Sequence, residues 1–141
     1  MTETTAYLSS RDLTLLAERE VGDEVRADVA ALEAVSAYPG SADQGHDRFP
    51  GVQVKAAALM TELLRLRPFD RGNARVALLS AIVFLNLNGL DVEASESDLA
   101  ELADLAAQGT LSLMMVAAAF ESITVRMIVP GNEPVDPSAP A

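Results

Sequence analysis

Apolar residues return every three or four positions in the long stretches of this chain, and that spacing predicts six helices. Ser9 or Ser10 can cap a first helix running to about Val21, with Leu13, Leu16 and Ala17 on one face. Val25, Val29, Leu32 and Val35 predict a second from Asp23 to Ala37. A third fits Val52 to Leu66, with Leu59, Leu63 and Leu66 in line, and Pro68 ends it. The fourth, Ala74 to Asn88, is apolar almost all round, which predicts the central helix, with Val83 shut away from water. Asn88-Gly89 stops it, and Leu90 to Ala94 reads as a short extended link. Ser95 with Asp98 forms a capping-box-like start for a fifth helix ending at Gly109. Ser112 caps a sixth, reaching about Arg126. The expected architecture is all-α: a compact bundle over residues 9–127, after a lead-in at 1–8. The tail at 128–141 is expected to be disordered, since its last thirteen residues hold four prolines.

Between the second and third helices lies Tyr38 to Gly51, with two Pro and three Gly in fourteen residues. A connection that long more often serves function than mere linkage. Composition narrows the classes. Half the residues are apolar, too many for a disordered chain, while aromatics make up only 4%. The formal net charge of −11 argues against a nucleic-acid partner and against anionic lipid surfaces. Without a single Cys there is no disulfide or thiolate chemistry. Met1 to Leu8 lacks the basic-then-apolar pattern of a signal peptide, and the apolar run Val76 to Leu87 is too short to cross a bilayer. The expected location is the cytoplasm, with no membrane association.

Charge is unevenly placed. Four of the ten cationic residues, Arg65, Arg67, Arg71 and Arg75, fall within eleven positions. The same window holds Gly72-Asn73, directly before the central helix. Glycine lets a ligand approach the backbone, and the free N–H groups and dipole of a helix start favour an anion. Arginine forks can clamp phosphate oxygens. These residues describe a phosphate pocket. They equally fit a plain helix cap, with the arginines paired to carboxylates such as Glu62 or Asp70.

The run Arg67-Pro68-Phe69-Asp70-Arg71-Gly72-Asn73-Ala74-Arg75 resembles the Fic/Doc motif, His-Pro-Phe-x-(Asp/Glu)-Gly-Asn-(Lys/Gly)-Arg. Val76-Ala77-Leu78-Leu79, Val83-Phe84-Leu85 and Asn88-Gly89 continue the likeness downstream, and Lys55-Ala56-Ala57-Ala58-Leu59 resembles the helix before the motif in death-on-curing (Doc) proteins. The resemblance covers about Tyr7 to Glu121, and its length and helix order favour the compact Doc branch. It implies a Fic/Doc-type bundle. It also implies transfer of AMP or phosphate from a nucleoside triphosphate to a protein hydroxyl. The motif His would be the base, the acidic residue would hold magnesium, and the Gly-Asn segment and final Arg would cradle the phosphates. Doc toxins act on a translation factor and are silenced by a small antitoxin helix.

Three positions depart from the motif. Arg67 stands at the His position, and a guanidinium cannot take a proton at neutral pH. Arg71 stands at the acidic position and repels magnesium. Ala74 stands where Doc proteins carry Lys. No catalytic residue is therefore assigned. The phosphate- or nucleotide-binding candidates are Arg67, Arg71, Gly72, Asn73, Ala74 and Arg75, with Asp70 and His46 as accessory candidates. His46 is the sole histidine and lies in the long loop, where the family places its target-binding flap. The expected ligand is a nucleotide or phosphate, without magnesium or any other metal, and the expected partner is an antitoxin or another protein. The leading reading is a degenerate Doc-like protein, a pseudoenzyme that binds without the family reaction. One alternative is an active toxin of a toxin–antitoxin system, a protein kinase or AMP-transferase. The other is a non-catalytic interaction module.

Overall fold

A computed structural model describes residues 4–128. Its helices are α1 (Ser10–Glu20), α2 (Val29–Ala37), α3 (Val52–Leu66), α4 (Asn73–Leu87), α5 (Glu96–Ala107) and α6 (Leu113–Ile123). Local chemistry explains most of these boundaries. Ser9, Asp28, Ser95 and Ser112 each accept a bond from a backbone N–H of the first helical turn, and at α1 Asp12 closes a full capping box. The all-α expectation holds, with two minute strand pairs added: β1 (Ala42–Asp43) with β2 (His46–Asp47), and β3 (Leu90–Val92) with β4 (Thr124–Arg126), both antiparallel.

Three expected elements are corrected. The second helix starts at Val29 instead of Asp23, because the backbone of Arg26 and Asp28 is already engaged. The Asp28 N–H donates to the Pro68 carbonyl at 2.7 Å, and Ala27 bridges Phe69. The sixth helix stops at Ile123 and leaves Thr124–Arg126 as β4, alongside the expected extended link. The β-branched run Ile123-Thr124-Val125 suits that change, being stiff in a helix and at home in a strand. Within the long loop, Tyr38–Gly40 forms a 3-10 turn and a hairpin follows. Gln44 and Gly45 take φ of 51° and 81°, the pair of positive angles a two-residue hairpin turn requires. The tail from Val129 onward lies outside the described residues.

The core forms where α3 and α4 pack on each other. α6 and α2 flank α3, while α1, α5 and β3 flank α4. Phe84, Phe120, Leu13, Leu59, Met60, Leu63, Leu85, Val76 and Val116 are fully enclosed. Val83 is corrected as well. It is half-buried and lines a surface groove between α1 and α4 together with Leu8, Leu15, Leu16 and Leu87. The neighbouring Phe84 is the enclosed position. The lead-in is tied down too. Asn88 accepts from the Ala6 N–H at 2.8 Å and donates to the Ala6 carbonyl at 2.9 Å.

Candidate functional site

The arginine-rich loop between α3 and α4 is built by constraints that fix its backbone. Pro68 cannot continue a helix and disfavours the right-handed helical region for the residue before it. Arg67 turns into the left-handed region, at φ 46° and ψ 62°, and closes α3 with its N–H on the Leu63 carbonyl. That region costs an ordinary residue about 1–2 kcal/mol relative to glycine, and His is among the residues enriched there. The Phe69 ring is buried. Asn73 clamps the loop from inside: its Oδ1 accepts from the Phe69 N–H at 3.0 Å and its Nδ2 donates to the Phe69 carbonyl at 2.8 Å. Gly72 is left-handed as well, and a Cβ there would meet Val21 Cγ2 at 2.4 Å. No larger residue fits against the end of α1.

Helix α4 then starts with no side chain capping its first turn, so the leading N–H groups face outward with the positive end of the helix dipole. A cleft of about 430 Å³ opens at this point, lined by Leu64, Arg67, Gly72, Asn73, Ala74, Arg75 and Ala107. That volume lies within the range of small-molecule pockets, ~300–1,000 Å³. Five of the six binding candidates thus come together. Arg71 is not among the lining residues; its guanidinium turns toward Gly22, with Nη2 3.7 Å from where a Cβ would stand. Arg75 donates to the Glu20 carbonyl at 3.2 Å, at the C-terminal end of α1.

The accessory candidates are elsewhere. The Asp70 carboxylate accepts from the Arg26 N–H at 2.9 Å, and the Asp70 N–H donates back to the Arg26 carbonyl at 2.9 Å. That carboxylate stitches the loop to the segment before α2. His46 is exposed on β2 of the hairpin and is not a cleft residue. Among the described residues, the ion pairs are Lys55–Asp47 and Arg65–Glu62, and Arg67, Arg71 and Arg75 form none. Arg65 alone takes the structural role that sequence left open. Its Nε and Nη2 grip both oxygens of the nearly buried Glu62 at 2.7 and 3.1 Å, and this bonding raises its pKa further. Leu64 and Ala107 escaped the sequence reading. They bring walls from α3 and α5, and a lone apolar residue at a helix end carries no local signal of such a role.

Chemically, the cleft offers two guanidinium groups, a free helix start and no carboxylate. Magnesium, which the family motif would hold on its acidic residue, finds no carboxylate among these residues, and the one amide oxygen, Asn73 Oδ1, is taken by the Phe69 N–H.

Residues 7–85 match the Fic/DOC family. The chain belongs to that family. It is also 34% identical over 91 residues to Toxin Doc of Mycolicibacterium smegmatis, an alignment that covers 64% of this chain and 70% of that toxin. The six-helix fold of the chain agrees with that membership. No helix among the described residues is long and apolar enough to cross a membrane.

Proposed function

We propose that this chain is a degenerate Doc-type protein that captures a phosphate-bearing ligand, a nucleotide in the first instance, without the family's transfer reaction. One observation carries the reading: Arg67, at the position of the family's base, lines the same cleft as Arg75 and the uncapped start of α4. Arginine at that position binds anions and takes up no proton, so attack by a target hydroxyl lacks its base. The cationic cleft substitutes for magnesium in balancing phosphate charge, as far as two side chains and a helix dipole can. In a chain of net charge −11, two arginines line this one cleft with no carboxylate among its lining residues, which supports an anionic ligand there. The reading places the protein in the cytoplasm, with nucleotides.

Calorimetric titration with ATP, with and without magnesium, tests it. Binding is expected without the metal and is expected to weaken with salt, because the arginines are exposed to solvent. An absence of heat in both titrations, together with an unchanged melting temperature, would reject the ligand and leave the arginines with a structural role.

A specific observation favours a protein partner as a second role. The groove between α1 and α4 exposes Leu15 and Leu87 by more than half, with Asp12 and Arg19 on its rim. An amphipathic helix of an antitoxin-like protein fits such a surface, with apolar anchors inside and charges outside. Leu15→Glu is expected to abolish co-purification with a co-expressed antitoxin while leaving ATP binding intact.

A further inference from the structure

The hairpin Ala42–Asp47 projects from the helical body with every residue exposed. The segment carrying it has two buried apolar anchors, Pro39 before the hairpin and Phe49 after it. Between them, among the described residues, one polar tie reaches the body. Lys55, in the first turn of α3, is 4% exposed, and its Nζ donates to both Asp47 oxygens, at 2.7 and 2.8 Å. The same ammonium donates to the Pro39 carbonyl at 3.2 Å and lies 5.9 Å from the centre of the Tyr7 ring. One buried cation thus holds the 3-10 turn, the hairpin and the lead-in against α3. Everything else around the hairpin is internal to the segment. Arg48 donates its N–H to the Ser41 carbonyl, Phe49 donates to Asp47, and the Arg48 guanidinium sits over the Tyr38 and Phe49 rings.

Such an arrangement differs from ordinary core packing. A buried ammonium is costly unless paired, and the partner here sits on two strands of two residues each, too small to be stable alone. The closed hairpin and the buried lysine therefore depend on each other. When Asp47 leaves, the ammonium is stranded. When Lys55 is absent, the hairpin keeps only its apolar feet. At the far end Gly51 takes φ 101° before α3, a conformation open to glycine, while Gly40 packs its backbone against the Tyr7 ring. We infer that the Tyr38–Gly51 segment is a strap whose hairpin is latched to α3 by the Lys55–Asp47 pair and opens when that pair is broken. The inference does not depend on the reading of the arginine cleft.

Hydrogen–deuterium exchange on the full chain at neutral pH tests the latch. Lys55→Met keeps the volume of the stem and removes the charge. Asp47→Asn keeps the shape of the carboxylate and strands the ammonium. In both variants, exchange over residues 41–48 is expected to rise about tenfold, the scale of one lost charge-assisted hydrogen bond, while α4 exchanges as in the wild type. Asp47→Glu, which restores the charge, is expected to recover most of the protection. Unchanged exchange at 41–48 in Asp47→Asn would overturn the proposal. So would a rise spread evenly over α3 and α4 in that variant, since the pair would then support the whole fold. If Lys55→Met fails to fold, the Asp47 variants decide alone.

Discussion

The two ends of α3 handle positive charge in opposite ways. At the N-terminal end Lys55 is buried, and its three hydrogen-bond contacts are all met by Asp47 and Pro39. At the C-terminal end Arg67 is exposed, in a left-handed backbone conformation that suits it poorly, and it meets no carboxylate. The first cation is part of how the loop is held. The second takes a strained backbone conformation and forms no ion pair inside the described chain, which is the pattern expected of a group kept for something outside it. The loop around Arg67 is nonetheless rigidly built, by Asn73 within it, Val21 against Gly72 and Asp70 across to Arg26. Rigid backbone with idle charge on it is what a preformed anion site needs.

The largest expected effect tests the rigid half of this contrast. Gly72→Ala places a methyl against Val21 and forces alanine into a positive φ, and should cost about 2–4 kcal/mol of stability, read by urea denaturation. A loss below ~0.5 kcal/mol, the ordinary surface scale, would show that the loop yields and is not preformed.

A middle-sized effect tests the idle half. Arg67→Ala should weaken ATP binding about tenfold, the worth of a charge-assisted bond, while stability stays within ~0.5 kcal/mol of the wild type. If stability fell by several times that amount with binding unchanged, Arg67 would be structural and the contrast between the two ends would disappear.

The smallest effect concerns the paired end. The hydrogen bonds from Lys55, then that from the Phe49 N–H, hold the Asp47 carboxyl below its usual range. A carboxylate whose pKa is lowered in the folded state contributes stability above the unfolded value and loses it as pH falls through the folded one. The stabilisation should therefore be complete at neutral pH and fade below about pH 4, the ordinary carboxylate range. The urea midpoints of the wild type and Asp47→Asn are expected to differ by a constant small amount above about pH 5 and to converge in acid, since the wild-type group is then protonated too. A gap that persists below pH 3 would assign the difference to shape and not to charge.

The amino-acid sequence by itself determined α1, α3, α4, α5 and the start of α6. Their caps and apolar spacing act within one or two turns, so Ser9, Ser95, Ser112 and Pro68 could be read in place. It also determined the family and the crowding of arginines before α4, because both are linear patterns. Tertiary structure alone decided which of those arginines share a cleft, since Arg71 and Arg75 are four apart on the chain yet one turns toward Gly22 and the other lines the opening. It alone decided that α2 begins late, because Asp28 spends its N–H on Pro68, forty residues further on by the contact between them. It alone made a buried latch of Lys55, a residue whose type predicts exposure until a carboxylate eight positions earlier folds back over it. Local rules count what a residue does to its own turn; bonds between segments depend on where the backbone has already gone.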